Sequence, residues 1–410
     1  MTSRDAESPS MLPPLARALS LRLGLDTRLL GMLAILAVIW IVLDILTGGI
    51  FLTARNLFNL SLQVAVVGIM ATGMVLVIVS RNIDLSVGSV LGFVGVLGAL
   101  AQVQALGVGT WYTWWVAVLV MLAAGTLIGG LQGVIVARGY VPAFVVTLGG
   151  LLFFRNAAWQ INEGRTIAPL DETFQLIGGG LYGTIGPLWS WVVGAVAIVA
   201  IVYASLAARR KRRRYGFAVR PLAAEIAILA VACGMVVAFV VVMNAYDRPG
   251  TDRPMGIALP VLILIAVAVI MSVVANRTRF GRFVYAIGGS PRAAEVAGIN
   301  VPWMIVKVFA LMGFLAGLAS IVITARLNAG ASVTGTLTEL NVIAAAVIGG
   351  TSLAGGVGTI YGAVLGAVFM QSLENGMVLL GISTPFQKMV LATVLVAAVW
   401  IDMAYQRRRK

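Results

Sequence analysis

An all-α polytopic membrane protein is the fold class this sequence predicts, on three observations. Only 11% of the 410 residues are charged and 60% are hydrophobic, against about 25% charged in a soluble domain. The apolar residues gather into about twelve runs near the ~20-residue length that crosses a bilayer as a helix, with 10–12 segments as the range. The net charge of +14 comes from basic clusters that recur after alternate runs, as Lys and Arg do in cytoplasmic loops.

Taken in order, residues 1–28 read as a cytoplasmic N-terminal segment. The first run, Leu29–Phe51, is too long for a signal-peptide core and has no clear small-residue cleavage site, so it reads as a permanent span. Leu57–Val79 and Val87–Leu106 follow, parted by the polar stretch Arg81-Asn82-Ile83-Asp84-Leu85-Ser86. Trp114–Ala137 is uninterrupted, whereas Val141–Ile161 carries Arg155 and Asn156. The glycine-rich loop Asn162–Pro187 holds Glu163, Arg165, Asp171 and Glu172, and reads either as a solvated loop or as a docking surface. Leu188–Ala208, Leu222–Met243 and Ile257–Ala275 come next, then Val301–Thr324, a short glycine-rich Leu340–Leu353, Thr359–Leu380 and Phe386–Met403.

Threading these runs from a cytoplasmic N-terminus puts Arg138, Arg209–Arg214, Arg220, Arg277, Arg279, Arg282, Arg292 and Arg407–Lys410 on one side. Both termini then lie in the cytoplasm. The membrane-spanning body is 29–405, with a basic loop and an extra apolar segment at about 203–255, and 406–410 is a basic tail.

The loop 276–300 contains a small designed element. Gly288-Gly289-Ser290-Pro291 offers Ser290 as N-cap and Pro291 at the first helical position,. Arg292-Ala293-Ala294-Glu295-Val296-Ala297 continues as a short helix that Gly298 ends,. A rigid helix of this kind on the cytoplasmic face suits a groove on a partner.

Whole classes of chemistry are excluded. No histidine and one cysteine, Cys233, are present, so imidazole relays and thiolate metal sites lack their ligands. No phosphate-cradling Gly-x-x-x-x-Gly-Lys-Ser/Thr occurs,. A catalytic constellation, a metal site and a cofactor on this chain are therefore not expected. A basic domain free of the spans, as nucleic-acid binding would need, is missing as well.

Polar residues at membrane depth carry the functional expectation. Asn82, Asp84 and Ser86 either line a path, hold a helix break together, or cap the next span at the interface. Arg326, Asn328, Glu339 and Asn341, with Thr334 and Thr336, are gate candidates or a plain loop. Gln371, Glu374 and Asn375 read as hydrogen-bond glue between helices, and Arg155 either pairs with a carboxylate, binds a solute, or snorkels. Gly88-x-x-x-Gly92 and Gly362-x-x-x-Gly366 allow close backbone approach,. An internal echo sets Leu85 on Leu353, Gly88 on Gly356 and Leu97-Gly98-Ala99 on Leu365-Gly366-Ala367. Interrupted segments at matching positions of two halves mark transport sites, and chance matching of common membrane residues is the alternative. Neutral polar groups dominate, which suits a hydroxylated solute better than an ion.

Three ordered motifs then carry a resemblance. They are Asn82-Ile83-Asp84-Leu85-Ser86-Val87-Gly88-Ser89, the run Tyr285 to Asn300, and Arg326-Leu327-Asn328-Ala329-Gly330 continuing through Ala344 to Gly356. From about Ile50 to Asp402 the chain resembles the permeases of ribose/xylose/galactose-type ABC importers. Its Ser80-Arg81-Asn82 lead-in, Arg326–Gly330 wording and enlarged middle are most similar to the D-xylose members. The resemblance implies a homodimeric inner-membrane permease with a cytoplasmic ABC ATPase, a periplasmic sugar-binding protein and a monosaccharide cargo, D-xylose first, with ribose or galactose as alternatives. It also implies that Gly288, Gly289, Ser290, Pro291, Arg292, Ala293, Ala294, Glu295 and Gly298 couple to the ATPase. A stand-alone secondary transporter is the reading from a different class.

Overall fold

The computed structural model describes residues 27–407 apart from 181, 218 and 220. Most of the expected N-terminal segment and tail residues 408–410 therefore lie outside the described residues, as does Arg220. Each of the twelve predicted apolar runs carries a helix. In chain order these are α1 (Thr27–Leu46), α2 (Ala54–Val79), α3 (Val87–Leu100), α4 (Thr113–Arg138) and α5 (Ala143–Asn162). Then come α6 (Glu172–Ile177), α7 (Gly186–Arg214), α8 (Leu222–Asn244), α9 (Leu259–Arg277), α10 (Arg279–Gly289) and α11 (Pro291–Val296). The chain closes with α12 (Val301–Leu327), α13 (Thr338–Ile348), α14 (Ile360–Leu379) and α15 (Thr384–Arg407). Among the described residues nine helices are long and apolar enough to cross a membrane by themselves. No strand forms among them beyond isolated bridges such as Ile167–Gly330.

The central post is α2, which from Val64 to Val79 is apolar on every side and wholly buried. A helix of that kind must sit inside a bundle, and α2 is wrapped by α9, α12, α13 and α14. Its start is fixed by Thr53, which accepts from the Asn56 amide at 3.4 Å. On the neighbouring pair α4 and α12, Gly125, Gly129 and Gly133 face Gly317, Gly313 and Phe309 so closely that backbone meets backbone. A Cβ at Gly133 would come within 2.9 Å of the Val306 Cα. Without a hydrophobic force between helices in lipid, such close van der Waals contact is what holds them.

α7 and α8 form a hairpin on the outside of this bundle. It meets the bundle through a separate small core of Phe58, Leu62, Val240, Met243, Ile257 and Val261. Further along, Val196, Val199, Tyr203, Ile226 and Val231 remain exposed, as expected of a lipid-facing surface. Arg209 and Glu225 pair across the hairpin, and Ser205 Oγ donates to Glu225 at 3.1 Å.

Among the described residues the basic loop clusters fall at one end of the bundle, where α2, α4, α7 and α9 finish and α3, α5, α8 and α12 begin. Trp111, Trp115, Trp159, Tyr182 and Trp189 are exposed at or near the opposite end, as in the aromatic belt of a membrane boundary. At that same end the loop 163–185 is not simply solvated. Asp171 accepts from the amides of Thr173 (2.9 Å) and Phe174 (3.3 Å) to start α6, and Phe174 is fully buried.

Candidate functional site

The site grows from one face of α3. Gly88, Gly92, Gly95 and Ala99 recur at helical spacing and leave a groove without side chains,. Residues 330–337, which follow α12, run down that groove in non-helical form. Gly330 lies against Gly95 and Ala99, the Thr334 carbonyl against Gly92, and Gly335 against Gly88. The segment is pinned by Gly330 N donating to Ile167 O at 2.9 Å, and by turns such as Thr334 N to Ala331 O at 3.1 Å. α13 then completes the passage to the basic end. Irregular backbone survives at membrane depth only when protein buries it or a cavity receives it, and here both conditions hold.

Beside the broken span is a cavity of about 260 Å³. Its polar lining comes from Gln63 of α2, Arg326 of α12, Thr334 and Thr336 of the irregular stretch, Asn341 of α13, Gln371 and Glu374 of α14, and Lys388 of α15. Glu374 is the hub. It accepts from Asn341 Nδ2 at 2.9 Å, Gln371 Nε2 at 3.1 Å and Lys388 Nζ at 3.0 Å. The Glu374–Lys388 pair neutralises itself, leaving the Arg326 guanidinium as a donor beside amides and hydroxyls that can both donate and accept,. A solute rich in hydroxyls fits that inventory.

The sequence-flagged residues separate into groups. Arg326 and Asn341 line the cavity. Glu339 is buried behind it, 3.9 Å from Arg155, so Arg155 pairs with a carboxylate instead of snorkelling. The facing atoms, Arg155 Nη2 and Glu339 Oε2, make no hydrogen bond. Asn328, in the left-handed region at φ +52, accepts from the Leu170 amide at 2.8 Å and ties the α6 loop to α12. Gln371, Glu374 and Asn375 all bond between or along helices, Asn375 by accepting from Asn56 Nδ2 at 3.0 Å. Gln371 and Glu374 do so on the cavity wall.

Asn82, Asp84 and Ser86 lie away from the cavity, near the basic end. Asp84 Oδ1 accepts from the Ser86 amide at 2.8 Å and from Ser86 Oγ at 2.7 Å. Ser86 and the Gln132 side chain are within 3.1 Å on α4, and Thr147 Oγ1 of α5 donates to Ile83 O at 3.3 Å. Asn82 Nδ2 turns back to Ser80 O at 3.0 Å. The carboxylate thus closes the break and does not cap the helical amides of α3. The echo at Ser352–Val357 is its spatial neighbour, since Gly356 N donates to Val79 O at 3.0 Å.

The short helix of the basic end forms with the expected bounds. Ser290 Oγ accepts from Ala293 N at 3.3 Å, Pro291 opens α11, and Gly298 takes φ +83 after it. Arg292, Ala293, Glu295 and Val296 are exposed and only Ala294 is buried. The preceding α10 is an additional helix, capped by Thr278. Its Tyr285 hydroxyl donates to Gly358 O at 2.8 Å, and burial pushes that phenol above its usual value, with Tyr361 adding to the shift.

Gln63, Gln132 and Lys388 escaped the sequence reading. The signal that could have found them is one strongly polar side chain inside a long apolar run. Gly125, Gly129, Gly133, Gly313 and Gly317 escaped it too, although their four-residue spacing is visible.

Known proteins match most of the chain in sequence. The family described as "Branched-chain amino acid transport system / permease component" matches residues 179–399. The xylose transport system permease protein XylH of Haemophilus influenzae is 37% identical over 92% of this chain and 96% of its own length. That of Escherichia coli is 37% identical over 94% of each chain. The ribose import permease protein RbsC of Escherichia coli is 34% identical over 86% of this chain and 87% of its own. No solved structure matches.

Proposed function

The chain belongs to the membrane-spanning permease components of ABC sugar importers, and from that premise we propose that its cargo is D-xylose, passed through the cavity beside the broken span. It is a transport subunit and not an enzyme. The observation that carries the path is the meeting of the irregular stretch 330–337 with a cavity walled by Gln63, Asn341, Gln371 and the neutralised Glu374–Lys388 pair. Similarity to the xylose permeases over nearly the full length supports the choice of cargo above ribose.

The chain works without a cofactor of its own, as a multi-pass protein of the inner membrane with a cytoplasmic ATPase, a periplasmic sugar-binding protein and a second copy of itself. The basic end, with Arg138, Arg209–Arg214 and Arg277–Arg282, is cytoplasmic, and both termini lie there. On that face α11, flanked by Gly288-Gly289 and Gly298, is the docking element for the ATPase. Closure of the ATPase on ATP moves the α11 elements and switches the paired permeases between outward and inward openings.

Reconstitution in liposomes with the cognate ATPase and binding protein tests the reading. Uptake of labelled xylose should require ATP and both partners, and should exceed that of ribose or galactose. Equal uptake by the purified chain alone would make it a secondary transporter, and a binding protein indifferent to xylose would remove the cargo assignment. Glu295→Arg should abolish ATPase co-purification while leaving membrane insertion unchanged.

A further inference from the structure

Arg81 occupies a position its residue type fits badly. Its φ is +65, a left-handed conformation that glycine adopts freely and arginine rarely does. The turn itself is made by backbone, with Arg81 N donating to Ile78 O at 2.9 Å and Asn82 N to Val77 O at 3.0 Å. Neither bond needs a side chain. A strained residue that persists at such a point is held there by what else it does.

The side chain reaches across to the end of α10. Arg81 Nε donates to Gly288 O and Nη2 donates to Gly289 O, both at 2.8 Å. These are the last two carbonyls of the helix, unpaired by the helix itself and at the negative end of its dipole. The next residue, Ser290, caps α11. The stem of Arg81 also packs on Gly355, and Gly356 N donates to Val79 O at 3.0 Å. One guanidinium therefore ties the break after α2 to the hinge that carries α11 and touches the break before α14.

We propose that Arg81 is the positioning residue that transmits movement of α11 to the transmembrane breaks. The proposal rests on the reading of α11 as the ATPase-docking helix. A planar fork holds two successive carbonyls from two nitrogens in one fixed geometry, whereas an ammonium presents its three donors from a single freely rotating atom. Rigid two-point contact moves both sides together. Loss of it leaves α11 free to follow the ATPase while the end of α2 and the break before α14 stay behind.

The test uses the permease reconstituted with its ATPase and binding protein. Arg81→Gly suits the left-handed backbone and removes the fork together with the stem that packs on Gly355, whereas Arg81→Lys keeps a stem there. Its ATPase should co-purify as in the wild type and basal ATP hydrolysis should persist, while stimulation of that hydrolysis by sugar-loaded binding protein is lost and sugar carried per ATP falls about tenfold or more. Arg81→Lys should lie between. An unchanged ratio of sugar to ATP in Arg81→Gly would overturn the proposal, as would an Arg81→Lys equal to wild type. Loss of ATPase association in Arg81→Gly would also overturn it, making Arg81 part of the docking platform. Failure of the docking reading is separable, because it shows as retained ATPase association in Glu295→Arg with Arg81 intact.

Discussion

Between α2 and α3 the chain closes its interruption with its own side chains, while between α12 and α13 it leans on a neighbouring helix and opens onto a cavity. In the first, Asp84, Ser86 and Gln132 use their polar atoms on one another. In the second, the Thr334 and Gly335 carbonyls lie in the side-chain-free groove of α3, and Thr334, Thr336 and Asn341 reach the cavity. A break whose polar groups are satisfied locally is a fixed joint. A break held by backbone turns and by packing leaves its side chains available to a solute and can slide when the neighbour moves.

The largest break in this comparison should come from Gly88→Val, because a Cβ there meets Gly335 O and the Glu339 carboxylate. Overpacking of this kind costs about 1–3 kcal/mol, and uptake should be nearly lost. Gly149→Ala, with open space around it, should leave both uptake and thermal stability unchanged. Equal effects of the two would dismiss the groove.

A smaller effect is expected from Glu374→Gln, which leaves the Lys388 ammonium without its carboxylate. Uptake should fall about tenfold, the equivalent of about 1.4 kcal/mol, and the double variant with Lys388→Gln should recover most of it. No recovery would mean that the carboxylate itself meets the sugar.

At the closed joint, Ser86→Ala removes bonds worth about 0.6 kcal/mol each between membrane helices. A measurable loss of thermal stability with uptake within about threefold is expected. Uptake collapsing without any loss of stability would move the joint into the path. Tyr285→Phe should matter least, giving up one hydrogen bond to Gly358 O of about 0.5–1.5 kcal/mol, read as a slight drop in melting temperature.

Much of this was legible before any coordinates. The apolar runs gave every long helix to within a few residues, and Ser290-Pro291 with Gly298 gave both ends of α11, because capping and hydrophobic length are local properties. The glycine pairs at Gly88/Gly92 and Gly362/Gly366 do make close approaches, to the 334–335 backbone and to Ala345 and Gly349. What the runs could not reveal was that the loop 163–185 holds a short helix anchored by the buried Phe174, since Phe174 and Asp171 find their partners on other segments. Nor could they divide the polar residues: Asp84 and Glu374 are both carboxylates near apolar runs, yet one closes a joint and the other lines a cavity.

The sequence by itself determined the membrane class, the helices, the capped short helix α11 and the family, because each is written in spacing, length or an ordered motif along the chain. Only the tertiary structure decided which break opens and which is locked. That choice depends on Gln132, Gly88, Lys388 and Arg81 meeting residues some 14 to 250 positions away, and no local rule of hydrogen bonding or hydrophobicity fixes contacts at such separations.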